Sequence, residues 1–352
     1  MAHLSDSKYL AASALGNSLL ILIVRLFNFL RMSTTGSVAQ YFAKDEWEHI
    51  QLWLSKALLA TLSASLLILL AQPIIIHLFL FLSGSPPKIN ILVNQYFKIA
   101  IFTVFFSISN YIFIGFFIGI QQTSLILKIS IIKTLSSIML STILIYRVHM
   151  HIKGLALSTL LSEATSFCIS LYYIYHTIKS KSASTQISIT KKRLLDITSY
   201  RVFFSININL LIRSLCILIA LQSFTFLSSR LGESTLAVNQ LLFQFSFLIA
   251  ISLDAFSNTT EALIGQHYAN QQIKKIILTA QHTFLYFLII TILFTLAYAL
   301  MHNWIISQLT TIPSLRVLAK RYAGYAIFLP LCTMNAFWLD GIFNGLLKTK
   351  TM

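Results

Sequence analysis

Acidic side chains are the scarcest chemistry in this chain, with ten Asp and Glu in 352 residues against 26 Lys and Arg. Charged residues of both signs reach only 10%, far below the roughly 25% of a soluble globular protein. The chain therefore has too few charges to clothe itself in a hydrated surface. Cysteine is scarce as well. Cys168, Cys216 and Cys332 each fall in a separate apolar run, a spacing that builds neither a disulfide frame nor a metal cluster, and they read as small buried apolar residues. His149 and His151 share a short loop, too little for a metal site. There is no Walker motif, no GxSxG, no HExxH and no glycine-rich dinucleotide loop, so the chain reads as neither an ATP-driven machine nor an enzyme, with no cofactor.

What the chain has in quantity is apolar length. Apolar residues make up 57% and the mean hydropathy is +0.78. Runs long enough to cross a hydrocarbon core, which takes about 20 residues, lie at about 9–32, 53–82, 92–120, 124–146, 154–178, 202–227, 236–265, 275–302 and 318–346. Leu, Ile and Phe occupy every helical face of these runs, which favours helices over barrel strands. The expectation is an all-α polytopic membrane protein with nine spans. Lys179, Lys181, Lys191, Lys192 and Arg193 cluster between two runs without an acid among them; the positive-inside rule puts that connection in the cytoplasm. The formal charge of +16 is thus a topology signal and not a nucleic-acid interface.

The chain also repeats. At an offset of 226 residues, Tyr96, Gly115, Phe117, Gly119 and Thr123 fall on Tyr322, Gly341, Phe343, Gly345 and Thr349, and Thr34, Gln40 and Ala43 fall on Thr260, Gln266 and Ala269. Duplication of a helical bundle follows, giving an amino-terminal lobe at 1–178, a basic cytoplasmic linker at 179–197 and a carboxyl-terminal lobe at 198–352. Paired bundles of this kind enclose a central cavity and rock around it, the architecture of a transporter.

The run from Ala2 to Gln40, AHLSDSKYLAASALGNSLLILIVRLFNFLRMSTTGSVAQ, resembles the second-helix region of the DinF branch of the MATE (multidrug and toxic compound extrusion) transporters. So do LIRSLCILIA from Leu211 to Ala220, LDAFSNTTEALIGQ from Leu253 to Gln266 and WLDGIFNG from Trp338 to Gly345. The resemblance implies a twelve-helix, two-lobe antiporter, here truncated at both ends, with helix one and helices eleven and twelve missing. It implies export of organic cations, drugs or toxic metabolites in exchange for H⁺ or Na⁺, from a multi-pass position in a bacterial inner membrane, as a monomer with a small-molecule substrate. A lipid-linked saccharide flippase of similar architecture, supported by Arg213 with Arg25, and a non-functional transporter remnant are the alternatives.

Ionisable residues inside spans are costly and mark function by default. Asp340 lies deep in the last run, where the resemblance places a cation-coupling carboxylate, and its repeat mate is Ile114. Arg213, a dozen residues into its run, needs a carboxylate partner, with Asp340 and Asp254 as candidates. Glu163 is the amino-lobe proton-site candidate. Glu261, seven residues after Asp254, reads as a solvated helix-end anchor. Lys128 snorkels to the headgroups, and Lys133 has no assigned role. Asn239, Gln240 and Gln244, at one-turn spacing, and the aromatics Phe243, Phe337 and Trp338 are candidate substrate-cavity residues, with interhelical hydrogen bonding or core packing as the competing reading.

Overall fold

The computed structural model describes residues 7–83, 86–182 and 197–351, and among them it is helical from end to end with short turns between. The helices are α1 (Ser7–Leu26), α2 (Phe29–Ala43), α3 (Trp47–Leu70), α4 (Gln72–Ser83), α5 (Pro87–Ala100), α6 (Thr103–Gly119) and α7 (Thr123–Thr142). A π-helical turn, Ile143–Arg147, prolongs α7. There follow α8 (His151–Ser182), α9 (Ile197–Arg230), α10 (Glu233–Ala269), α11 (Ile273–Leu309) and α12 (Pro313–Gly345). Among the described residues eight helical segments are long and apolar enough to cross a membrane, or nine if the bent pair α5 and α6, at 51°, is one span.

The helices overrun the apolar windows read from the sequence. The first window ends near residue 32, yet α2 continues to Ala43 through Ser33, Thr34, Thr35 and Ser37, each almost fully buried. Small hydroxyl residues can return their bonds to the helix and so remain helical inside a protein core. The basic linker starts later than expected, because α8 carries Lys179 and Lys181 to Ser182 as its last turn, where cations oppose the negative end of the helix dipole. Lys191, Lys192 and Arg193 lie outside the described residues.

The repeat is visible in the backbone. Shifted by 226, the bounds Ser7, Ala43, Trp47, Ser83, Pro87 and Gly119 become Glu233, Ala269, Ile273, Leu309, Pro313 and Gly345, the ends of α10, α11 and α12. The turns follow the same rule: Asp45 (φ 57°) pairs with Gln271 (φ 57°), and Gln121 (φ 60°) with Leu347 (φ 54°). Left-handed backbone at non-glycine residues is uncommon, so the coincidence in both turns marks one inherited geometry. Pro87 and Pro313 both sit at the first helical position, where a missing N–H costs nothing. The copies differ in continuity. Three spans that are broken in the first copy, near residues 27, 71 and 101, run unbroken as α10, α11 and α12.

Two compact units emerge. One comprises Met1–Thr34 and Asp45–Asn207, the other Thr35–Lys44 and Ile208–Met352. In the first, α8 lies against α5, α6 and α7, around a core of Phe97, Phe113, Phe116 and Phe117. In the second, α12 packs along α10 and α11, with Phe245 and Tyr298 in edge contact. Glycine sets how near the helices come. A Cβ on Gly345 would lie 2.6 Å from the Glu261 carbonyl, and one on Gly36 would lie 2.5 Å from that of Asn344. The segment Thr35–Lys44 is further fastened by Gln40, whose amide donates to the Gly345 carbonyl at 2.8 Å. Cys168, Cys216 and Cys332 are exposed on the helix surfaces, not buried as expected, a position in which a small apolar thiol suits lipid.

Candidate functional site

Among the described residues, each unit shows an ion pair that joins two of its helices. In the second unit, Arg213 lies midway along α9 and Asp340 five residues before the end of α12. An Arg213 Nη2 donates to Asp340 Oδ2. The side chains are 25% and 17% exposed, so a guanidinium and a carboxylate that would each be expensive alone are mutually neutralised. One turn earlier on α9, Asn209 donates to the Thr349 hydroxyl at 3.2 Å. The α9 face carrying residues 209 and 213 is thus held by two polar contacts, one to α12 and one to the turn that follows it. Asn209 was missed in the sequence; its one-turn spacing from Arg213 was the available signal.

Of the two carboxylates expected to answer Arg213, Asp340 accepts its hydrogen bond. Asp254 lies half-buried on α10. Glu261, expected to be solvated, is 1% exposed at the α10–α12 crossing. The crossing is close because Gly341 and Gly345 leave no side chain between the helices. Asn344 is also buried there, at 1% exposure, and its amide makes no hydrogen bond among the described residues.

The six residues proposed to line a substrate cavity lie on two helices, four on α10 and two on α12. Asn239 donates to Ser228 Oγ of α9 at 2.8 Å, the interhelical alternative. Phe243 stacks on Phe224 at 6.3 Å, while Gln240 and Gln244 are exposed. Phe337 and Trp338 join the α10–α11 core, and the Trp338 indole donates to the Ala280 carbonyl of α11 at 3.1 Å. A cavity does open beside α12, but Arg321, Tyr325, Phe328 and Cys332 line it. Arg213, one of the two arginines that supported a pyrophosphate-binding flippase cavity, is paired with Asp340.

In the first unit, Lys133 of α7 finds the role the sequence had left blank. Its Nζ is 2.5 Å from Glu163 Oε1 of α8. Asn110 of α6 donates through Nδ2 to Glu163 Oε2 at 2.7 Å and to the Glu163 carbonyl at 3.3 Å. Three helices therefore converge on one carboxylate. A cavity of about 320 Å³ opens beside it, and its wall includes Arg25, Asn110, Tyr111, Lys133 and Glu163. Lys128 is exposed on α7. His151 stacks on Tyr9 at 5.4 Å, and among the described residues no group of three or more His, Cys, Asp or Glu converges as a metal site.

The chain was compared with known proteins. A family model described as MatE matches residues 1–143 and again residues 209–352, the two copies seen in the backbone. Over 352 residues the chain is 27% identical to DNA damage-inducible protein F of Escherichia coli strain K12, covering 76% of that protein. A solved MATE in complex with MaL6 superposes with a TM-score of 0.83 at 17% identity, covering 98% of this chain and 77% of that one. An outward-facing multidrug resistance MATE family transporter of the MOP superfamily gives 0.80 at 18% identity, over 97% and 76%. At those identities the structural likenesses speak for the fold alone.

Proposed function

We propose a function on the premise that this chain belongs to the MatE family, whose members are multi-pass membrane transporters and not enzymes. The chain is a secondary antiporter. It exports organic cations, drugs or toxic metabolites in exchange for H⁺ or Na⁺, works as a monomer in a bacterial inner membrane, and alternates between inward-open and outward-open forms. The observation that carries this reading is the Arg213–Asp340 pair in the helical interior of the second unit.

A carboxylate held by a guanidinium within a span can be held in two states. In one, Asp340 is ionised and binds Arg213. In the other, a proton or Na⁺ takes the carboxylate and Arg213 is released, to be answered by another acceptor or by water in an open cavity. Each state favours a different packing of α9 against α12, so occupancy by the ion biases the conformation. Coupling then requires only that substrate and ion prefer opposite forms.

Asp340→Asn tests this. In efflux-deficient cells, wild-type protein should raise resistance to a toxic substrate and the variant should not, at equal membrane abundance. Full resistance conferred by the variant would remove Asp340 from coupling.

A further inference from the structure

Helix α9 carries Arg213, yet little of the helix is buried where that arginine sits. Between Leu211 and Leu227 no residue of α9 is buried, so no fully buried side chain keys that stretch against its neighbours. Rotation matters to an arginine. On a helix of about 6 Å outer radius, a rotation of about 30° moves a side-chain tip by about 3 Å, enough to break a hydrogen bond. The angle at which Arg213 meets Asp340 is therefore set elsewhere on the helix.

The hold lies upstream. The start of α9, through Asn207, belongs to the first unit, and Ile208 onward to the second. Phe203, Asn207 and Leu210 form a buried stripe at the spacing of one helical face. Phe203 lies against the Trp53 ring of α3 at 5.1 Å, and Lys56 of the same helix stands over the Tyr200 ring at 5.1 Å. Asn207 makes the directional contact. Its Nδ2 donates to the Phe203 carbonyl at 2.8 Å, which orients the amide, and its Oδ1 accepts from Ser33 Oγ of α2 at 2.7 Å. Ser33 is 1% exposed and Asn207 5%, so loss of one partner strands the other away from water. Asn207 and Arg213 are six residues apart on one continuous helix, about 9 Å along the axis and about 120° around it. A grip on one face thus fixes the direction of the other.

We propose that Asn207 is a positioning residue for ion coupling: its hydrogen bond to Ser33 sets the rotation of α9 and presents Arg213 to Asp340. The role of the ion pair rests on the transport reading, whereas its placement rests on geometry alone. Without the bond, α9 settles over a range of rotations and the guanidinium spends part of its time away from the carboxylate. The pair weakens although neither charge is touched.

Unfolding in mixed SDS micelles reads that weakening directly. Wild type, Arg213→Met, Asp340→Asn and their combination give the coupling of the two groups as a ratio of folding equilibrium constants, expected at about thirtyfold. The same four proteins carrying Ser33→Ala, and again carrying Asn207→Leu, should give less than about tenfold. Ser33→Ala removes a single oxygen and keeps the test open if Asn207→Leu fails to fold. Thr61→Val removes another buried hydroxyl of the first unit, bonded to the Ala57 carbonyl at 2.9 Å, and should leave the coupling at its full value. In vesicles, Ser33→Ala should lower the maximal rate of gradient-driven export several-fold at an unchanged half-saturating substrate concentration, and Ser33→Thr, which keeps the hydroxyl, should restore it. A coupling that stays near thirtyfold in both backgrounds, or that is absent from the wild-type set, would overturn the assignment whatever the export rate. A weakened coupling with full export would uphold the placing of Arg213 by Asn207 and count against the pair as the coupling device.

Discussion

Removing one partner of the Arg213–Asp340 pair should cost stability by an amount bounded from both sides. Exposed ion pairs contribute about 0.2–1 kcal/mol, and breaking a buried pair costs about 3–5 kcal/mol because the remaining charge is stranded. With the side chains 25% and 17% exposed, the pair lies nearer the buried case, and screening by solvent or headgroups takes some of it back. Arg213→Met and Asp340→Asn should each destabilise by roughly 2–3 kcal/mol, and their combination by less than the sum, with a coupling energy of about 2 kcal/mol. That coupling corresponds to about a thirtyfold change in the folding equilibrium at 1.4 kcal/mol per decade. The assay is unfolding in mixed micelles of rising SDS fraction, followed by tryptophan fluorescence, on the wild type, both single variants and the double. Replacement by an apolar pair, Arg213→Met with Asp340→Leu, should recover most of the stability while abolishing gradient-driven export. Additivity within about 0.5 kcal/mol would show that the two groups do not depend on each other and would refute the reasoning.

Gly345→Ala places a methyl 2.6 Å from the Glu261 carbonyl, and the backbone cannot yield cheaply, so a loss of about 1–3 kcal/mol is expected as a lowered melting temperature in detergent. Trp338→Phe keeps the ring contact with Phe284 but loses the indole bond to the Ala280 carbonyl; a loss of about 1 kcal/mol with normal drug export would confirm its place in the core. Asn239→Ala removes the bond to Ser228 and should lower stability by a similar amount, again without changing substrate affinity, which a dialysis measurement checks.

The backbone plan was legible in the sequence where chemistry repeats. Gly119 and Gly345 end helices, Pro87 and Pro313 begin them, and the shift that aligns the residues also aligns the helix ends. The pairing of Arg213 with a carboxylate was legible from cost alone, because an isolated guanidinium in a span is too expensive to leave. Less legible was which way a helix turns. Asn239, Phe243, Phe337 and Trp338 have the composition of a cavity wall, yet Asn239 and Phe243 face α9 and Phe337 and Trp338 face α11. In a helix that is apolar on all sides, periodicity carries no sign of facing. For the same reason Lys133 looked idle until α7 was placed beside α8, and Glu261 looked solvated although glycines bring two helices together around it.

The central claim, cation-coupled export through Asp340, is met most directly by reconstituting the purified chain into vesicles whose lumen is acidic or rich in Na⁺ relative to the medium. Accumulation of labelled substrate that collapses when nigericin or monensin dissipates the gradient, and that Asp340→Asn abolishes while substrate still binds, is the result this account predicts. Accumulation that ignores both gradients, or that persists undiminished in Asp340→Asn, would contradict it.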